Sequence, residues 1–185
     1  MTAALGEHGL PWTEQEYLAL GETADRIELF DGSLYVAPAP TFRHQGISLA
    51  LAIALKPAAE AAGLDIFEAI NLRAQHGRIL IPDLVVARGA DPDGTVLDAA
   101  KAVLICEITS PSSAAADRVL KMHYYAEADI EWYLLVDPSE PTLQLFQHHD
   151  GGYVLHGAGA PGTPIELPAP INVTVDPAAL VPTRR

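Results

Sequence analysis

The chain has 185 residues, of which 49% are hydrophobic and 19% are charged, a balance that excludes intrinsic disorder and predicts a single domain over residues 1–185. Its net charge is −13 and its basic residues are scattered, which counts against strong nucleic-acid binding by the monomer, because phosphate affinity comes mainly from clustered lysine and arginine. No apolar run reaches the roughly 18 residues of a membrane span, so we expect a cytoplasmic protein with no membrane partner.

The N-terminal part of the chain is predicted to form a short helix followed by a β-hairpin. Thr13 and Glu16 have the spacing of a capping box, which predicts a helix that begins at Thr13. The dipeptide Asp31-Gly32 separates two strand-like runs and favours a tight two-residue turn. In that register Glu28 faces Tyr35, on the side of the hairpin opposite to its aliphatic residues.

A long helix and a strand are predicted next. Apolar residues recur at helical spacing over residues 44–62, although Pro57 should bend or split this helix, because proline cannot donate the backbone hydrogen bond. The loosely alternating pattern of residues 64–72 then suits one strand.

Two strongly apolar segments follow, and each contains one acidic residue. In the predicted strand 78–87, residues 79–87 are apolar on both strand parities except for Asp83, and in the strand 102–109 the apolar run is interrupted by Glu107. This pattern is typical of strands that are buried on both faces. Pro82 has no N–H to donate, so strand pairing should be interrupted at that residue.

The C-terminal half is predicted to alternate helix and strand before a second hairpin. Residues 89–100 are predicted to be a loop, and residues 110–113 offer N-caps for a helix over residues 114–128. A buried strand over residues 131–136 completes a parallel crossover, and the turn at 150–152 predicts a C-terminal hairpin. The predicted fold class is therefore α/β (α+β), with a mixed sheet flanked by helices and a hairpin near each end.

Asp83 and Glu107 are the first candidate site residues, because they interrupt inward-facing sides of strands that we expect to be neighbours. An ionised carboxylate without a partner is costly to bury, so each must be protonated, paired with a cation or bound to a metal. Separate ion pairs explain either residue alone. Two converging acids, however, raise each other's proton affinity until a divalent cation separates them, and oxygen ligands suit Mg²⁺ or Mn²⁺.

Lys121 is the third candidate, and it has two interpretations. It lies four residues after Asp117, where the two would form an exposed helical pair worth about 0.3–0.5 kcal/mol. Alternatively, its ammonium orients a nucleophilic water or stabilises charge developing on a phosphate. Tyr124 and Tyr125 follow on the same helix, and they would either brace the ammonium or belong to the core.

Three segments in a fixed order support a family resemblance: IELFDGSLYVAPAPTFRHQ, IPDLVVAR and LICEITSPSSAAADRVLKMHYYAEADIEWYLLVDP. Together they cover nearly the whole chain and resemble the Uma-two family of restriction-type endonucleases, a branch of the PD-(D/E)XK nuclease superfamily. The resemblance implies a restriction-endonuclease-like mixed β-sheet flanked by helices. It also implies that Asp83 and Glu107 bind the metal.

The same resemblance assigns roles to three further residues. The superfamily usually has a lysine two residues after the second acid, a position that Thr109 occupies here, so Lys121 is similar to a relocated substitute. Glu28 and His44 become accessory residues near the entrance to the site. The structural alternatives are that Glu28 faces solvent from its strand and that His44 is a polar residue in the first turn of its helix.

The leading functional hypothesis is a metal-dependent endonuclease that hydrolyses DNA phosphodiester bonds. Asp83 and Glu107 would bind Mg²⁺ or Mn²⁺, and Lys121 would assist the water nucleophile. A homodimer could gather scattered arginines into a local positive groove for DNA: Arg43, Arg73, Arg78 and Arg118. Two alternatives stay open, namely a catalytically inactive nuclease fold that serves as a binding or assembly module, and a hydrolase of a small phosphorylated substrate.

Overall fold

The structure of the protein is a computed structural model, and it describes residues 11–21, 23, 25–110, 116–139 and 141–181, with the backbone alone at 116–118. Its helices and strands have these bounds in chain order: α1 Glu14–Ala19, β1 Arg26–Phe30, β2 Ser33–Ala37, α2 Phe42–Ala61, β3 Asp65–Glu68, β4 Asn71–Gln75, β5 Arg78–Leu80, β6 Leu84–Ala87, β7 Val96–Asp98, β8 Ala102–Ile108, α3 Met122–Glu127, β9 Trp132–Asp137, β10 Thr142–His149, β11 Gly152–Gly159, β12 Ile165–Leu167, β13 Val173–Val175 and α4 Pro177–Leu180.

The predicted N-terminal helix and hairpin are both confirmed. The Thr13 hydroxyl accepts a hydrogen bond from the Glu16 N–H at 3.2 Å, and the Glu16 carboxylate accepts one from the Thr13 N–H at 2.9 Å. Strands β1 and β2 pair in the predicted register, with Glu28 opposite Tyr35. Because side chains alternate along a strand, six residues share one face of the hairpin. They are Arg26, Glu28, Phe30, Ser33, Tyr35 and Ala37.

The long helix α2 runs through Pro57 without a break, so of the two outcomes predicted for this proline, a bend or a split, the split is wrong. The helix begins two residues earlier than predicted, because the Thr41 hydroxyl caps it by accepting the N–H of His44 at 3.2 Å. Its buried side, which includes Ile47 and Leu51, packs in the core against the central strands. Such packing supplies most of the stability of a helix in a protein and outweighs one missing backbone hydrogen bond.

The two predicted strands before β7 are each divided, and this is the main correction to the predicted fold. Residues 78–87 form β5 and β6, which separate at Pro82 and enter different sheets. Residues 64–72 likewise divide into β3 and the start of β4, on either side of Ala69, whose φ is +52°. In the predicted loop 89–100, strand β7 pairs parallel with β4. Each of these strands pairs its backbone N–H and C=O groups with a neighbouring strand. The apolar pattern of the sequence does not say which neighbour that is.

Two larger sheets result. The first has the order β2-β1-β5-β4-β7, the second has the order β11-β10-β9-β8-β6-β3, and β12 pairs with β13. Strands β8 and β9 are parallel, as predicted for the crossover, and β10 and β11 form the predicted C-terminal hairpin. The predicted mixed α+β architecture with helices beside the sheets is thereby confirmed.

The crossover helix differs from the regular helix predicted over residues 114–128. A π-helical segment spans Ala116–Lys121 and continues into α3. Of the predicted N-caps at 110–113, residues 111–113 lie outside the described residues. π-helical turns occur frequently at functional sites, which draws attention to Lys121 at the end of this one.

The central strands of the second sheet, β6, β8 and β9, are buried on both faces. Leu104 and Cys106 of β8 face a core that includes α2, whereas Ile105 faces a second core with Tyr125 and Tyr133. By strand alternation Glu107 shares the side of Ile105, so it points toward the first sheet and α3. Among the described residues, we find no helix with the length and apolar content needed to cross a bilayer.

Candidate active site

Asp83 and Glu107 lie next to each other at the end of the paired strands β6 and β8. Leu84 pairs with Cys106, so the same register, continued by one residue, sets Asp83 opposite Glu107. The N–H of Ile108 donates a hydrogen bond to Asp83 Oδ2 at 2.8 Å. Asp83 is 7% exposed and Glu107 is 2% exposed. The structure therefore brings together the two carboxylates that the sequence proposed as neighbours.

Cationic and hydrogen-bonding groups hold Asp83 in its ionised form. Arg26 Nη1 donates to Asp83 Oδ1 at 2.7 Å, and His44 Nε2 lies 3.0 Å from Oδ2. Burial on its own raises the pKa of Asp83, but the His44 hydrogen bond and the Arg26 charge, with a backbone N–H, lower it to about 2. Asp83 is therefore a carboxylate at neutral pH despite its burial.

Arg26 is a site residue that the sequence analysis missed. Besides its ion pair with Asp83, its Nη2 donates a hydrogen bond to the carbonyl oxygen of Ile81. A signal for it did exist, because Arg26 lies two residues before Glu28 and so points to the same face of β1. Apolar periodicity cannot reveal that Asp83 would meet this face, because Asp83 is 57 residues away in the chain.

Lys121 joins the two carboxylates of Glu107 and Glu28. Its Nζ lies 3.2 Å from Glu107 Oε1 and 2.9 Å from Glu28 Oε1, and Lys121 is 6% exposed. The interpretation of Lys121 as part of an exposed pair is therefore wrong, while the side chain of Asp117 lies outside the described residues. Glu28 Oε1 also accepts the N–H of Ile81 at 2.7 Å. Because Ile81 directly follows β5, this bond fixes the Glu28 carboxylate against the neighbouring strand of its own sheet.

The two tyrosines after Lys121 have different roles. Tyr125 donates its hydroxyl to Glu107 Oε1 at 2.7 Å, whereas Tyr124 donates to Asp31 Oδ2 at 3.1 Å. Burial and the negative charge of Glu107 raise the pKa of Tyr125 well above its usual value, so its hydroxyl keeps its proton and acts as a donor. Tyr125 thus braces the carboxylate that contacts Lys121.

The accessory residues Glu28 and His44 both contact other residues of the site, whereas Thr109 supplies no cation to it. Glu28 is 1% exposed, so its interpretation as a solvent-facing residue is wrong. His44 does lie in the first turn of α2, and its ring also contacts Asp83. Thr109 is buried and its hydroxyl donates to the carbonyl oxygen of Val136 at 3.2 Å, so this position contributes no cation to the site.

All five predicted site residues line one cleft of about 850 Å³. They are Glu28, His44, Asp83, Glu107 and Lys121. The side of the hairpin that carries Arg26 forms one wall, and the turn before α2 and the end of β8 also line the cleft. The charged residues are thus buried, yet they border a space that a ligand can enter.

The donor set suits a hard divalent cation. The site contains three carboxylates, those of Glu28, Asp83 and Glu107. Arg26 and Lys121 supply two permanent positive charges, so the carboxylates outnumber the permanent cations among these five residues. The described part of the chain contains no ready-made cluster of three histidine, cysteine or acidic ligands. Mg²⁺ does not require one, because it keeps several waters and binds through one or two carboxylates. Asp83 and Glu107 are the two oxygen donors that would hold such an ion, in exchange for contacts that Asp83 makes with Arg26 at 2.7 Å and Glu107 makes with Lys121 at 3.2 Å.

Comparison with known proteins gives a family and a fold. The sequence profile of the Uma2 (Uma-two) family, described as "Putative restriction endonuclease", matches residues 14–178. The crystal structure of a "putative nuclease belonging to DUF820" from Anabaena variabilis ATCC 29413 is similar at 17% identity with a TM-score of 0.75, over 92% of this chain and 97% of that one. At that identity the likeness shows a shared restriction-endonuclease-like fold. No curated protein matches the chain.

Proposed function

The chain belongs to the Uma2 family, of restriction-endonuclease type, and on that premise we propose that it is a metal-dependent endonuclease that hydrolyses DNA phosphodiester bonds. The observation that carries the proposal is the position of Lys121, with Nζ 3.2 Å from Glu107 and 2.9 Å from Glu28 at a cleft that Asp83 also lines. A lysine beside converging carboxylates supplies what phosphodiester hydrolysis needs, namely metal ligands and a fixed positive charge.

In this proposal Asp83 and Glu107 hold Mg²⁺ or Mn²⁺. When bound, the metal supplies an activated water and polarises a phosphate oxygen. Arg26 and His44 keep Asp83 ionised, so the carboxylate need not lose a proton, and a metal would share or displace the contacts that these two residues make with its oxygens at 2.7 Å and 3.0 Å. Tyr125 fixes the position of the Glu107 carboxylate by donating a hydrogen bond to Oε1 at 2.7 Å.

Lys121 acts on the phosphate and on the attacking water. A charged ammonium has three donors and no acceptor, so it orients the water and stabilises negative charge on the phosphate oxygens, but it does not accept a proton. Glu28 is a positioning residue: its carboxylate holds the Lys121 Nζ at 2.9 Å and is itself held by the Ile81 N–H. The low dielectric of the buried site strengthens these interactions relative to water.

The acidic surface limits how DNA is bound. Arg73 pairs with Glu14 and Asp98, both at 2.6 Å, so its charge is already neutralised. Arg78 likewise pairs with two carboxylates, those of Asp31 and Glu127. The side chain of Arg118 lies outside the described residues, and Arg43 lines the cleft. We therefore propose that phosphates are contacted inside the cleft, in a monomer or in a homodimer, and not on an extended basic surface.

A second candidate, hydrolysis of a small phosphorylated substrate, has one specific observation in its favour. The cleft volume of about 850 Å³ falls within the range of small-molecule pockets, about 300–1,000 Å³. A catalytically inactive binding module is the remaining alternative. It is favoured by Thr109, which supplies no cation, and by the ion pair that already occupies Asp83 Oδ1 at 2.7 Å.

The decisive experiment is a cleavage assay on supercoiled, linear and single-stranded DNA with Mg²⁺ or Mn²⁺. We expect metal-dependent cleavage by the wild-type chain, no cleavage by Asp83→Ala or Lys121→Ala, and wild-type activity in the surface variant Lys56→Ala. Hydrolysis of p-nitrophenyl phosphate without DNA cleavage would favour the small-substrate candidate. Metal binding without any hydrolysis would favour the inactive module and contradict the endonuclease proposal.

A further inference from the structure

The wall of the cleft beside the charged cluster is aromatic and apolar. Strand alternation places Phe30 and Tyr35 on the same hairpin face as Arg26 and Glu28, and all four line the cleft. The Phe30 and Tyr35 rings meet edge to face with their centroids 6.0 Å apart. The hairpin therefore presents charge and aromatic surface side by side on one face.

Tyr35 is placed directly beside the proposed catalytic centre. It pairs with Glu28 across the hairpin, and Glu28 contacts the Lys121 ammonium at 2.9 Å. Side chains opposite each other in an antiparallel pair have Cβ atoms about 4.5–5.5 Å apart. Tyr35 nevertheless remains 41% exposed, whereas Glu28 opposite it is 1% exposed. An exposed aromatic ring held in an edge-to-face pair with Phe30 is a surface on which a flat ligand can stack.

The cleft also contains cations, which complement the negative charge of a phosphate group attached to a flat ligand. Lys121 and Arg26 lie at the charged end, and Arg43, which donates to the carbonyl oxygen of Pro138 at 3.2 Å, lines the cleft as well. The chain as a whole carries a net charge of −13, which is unfavourable for gripping duplex DNA along its backbone. Stacking of bases on aromatic side chains supplies affinity that does not depend on an extended basic surface.

We propose that the cleft binds an unpaired nucleotide of a DNA strand, with its base stacked on Tyr35 and its phosphate directed to Lys121. This inference rests on the proposed endonuclease function and adds a substrate class to it. Duplex DNA stacks its bases inside the helix, so it would enter only where a base is mismatched, flipped out or in a single-stranded segment. The preferred substrates are therefore single strands, loops and damaged or mismatched sites.

Binding without cleavage tests the proposal separately from the activity. Fluorescence anisotropy in EDTA compares a labelled oligodeoxythymidine 20-mer with a duplex of the same length, for the full-length chain. We expect the single strand to bind about tenfold more tightly than the duplex, and Tyr35→Ala to weaken single-strand binding about tenfold while Tyr35→Phe preserves it. Val36→Ala is the matched control, because Val36 is 45% exposed on the opposite face of the same strand.

Each outcome bears on one proposal. Equal affinity for single strand and duplex, or equal effects of Tyr35→Ala and Val36→Ala, would overturn the stacking proposal even if the enzyme cleaves DNA. Tighter binding of oligouridine than of oligodeoxythymidine would overturn the assignment of DNA. Absence of metal-dependent cleavage with single-strand binding intact would contradict the endonuclease function alone. Thermal melting of each variant by circular dichroism shows that it is folded.

Discussion

Lys121 and Glu107 lie 14 residues apart in the chain, and the lysine Nζ reaches Glu107 Oε1 at 3.2 Å from the start of α3. The same ammonium contacts Glu28 of the first sheet at 2.9 Å, so one side chain connects the crossover helix to both sheets. In the proposed endonuclease, catalysis and stability therefore depend on the same contacts.

Removal of the Lys121 charge should strongly destabilise the fold. The variant Lys121→Met leaves Glu107 and Glu28 buried without their cation, which costs about 3–5 kcal/mol in the free energy of unfolding. Lys56→Met is the matched control, since Lys56 makes an exposed pair with Glu60 at 3.6 Å and should cost less than about 1 kcal/mol. Urea denaturation measures both variants. Equal losses in the two would contradict the structural role assigned to Lys121.

Acid should destabilise the protein through Asp83. Its pKa is about 2 in the folded chain against a usual value of 3.8, so its contribution is complete above pH 3.8 and is lost as the pH falls through about 2. That difference corresponds to about 2 kcal/mol. Urea unfolding of wild type and Asp83→Asn between about pH 5 and pH 2 measures it. The variant should lose less stability over this interval, and parallel profiles for the two proteins would refute the assignment.

Divalent metal should stabilise the folded chain through its two strand carboxylates. Mg²⁺ or Mn²⁺ at about a hundredfold excess over its Kd would add about 2.7 kcal/mol, because it binds the folded state alone. Asp83→Asn and Glu107→Gln should abolish this increase in Tm, whereas the exposed change Glu60→Gln should preserve it. Calorimetric titration gives the affinity directly. A metal response that persists in both site variants would place the ion elsewhere.

Neighbouring tyrosines provide a matched test of the hydrogen bond to Glu107. Tyr125→Phe removes the hydroxyl that donates to buried Glu107 at 2.7 Å, and we expect a loss of about 1–3 kcal/mol. Tyr124→Phe removes a longer bond of 3.1 Å to Asp31, whose side chain is 53% exposed, so a smaller loss follows. Chemical denaturation ranks the two variants. The reverse order would show that Tyr125 does not brace the carboxylate.

The elements that the sequence predicted correctly are those whose signals are local. Asp31-Gly32 determines a two-residue turn, and a turn of that length fixes the hairpin register, including the pairing of Glu28 with Tyr35. The apolar run of β8 is long enough to be identified by composition alone. In both cases the determining residues are adjacent in the chain.

What the sequence could not give depends on contacts between distant segments. Residues 78–87 have one continuous apolar pattern, yet Pro82 ends one strand and the chain passes from the first sheet to the second. Arg26 carries no motif, and its role exists because that passage delivers Asp83 to its guanidinium. The π-helical form of Ala116–Lys121 likewise leaves no periodic signal in the sequence.

The passage at residues 81–83 has a consequence for how the protein tolerates change. Ile81 bonds to Arg26 and Glu28, and Asp83 bonds to Arg26, so the proposed reaction centre is also the seam that joins the two sheets. A genetic screen for inactive variants and a screen for insoluble variants should therefore identify substitutions at the same few residues. Improvement of thermal tolerance by directed evolution should instead accumulate at remote sites such as the exposed side of α2, where Ile53 is 63% exposed.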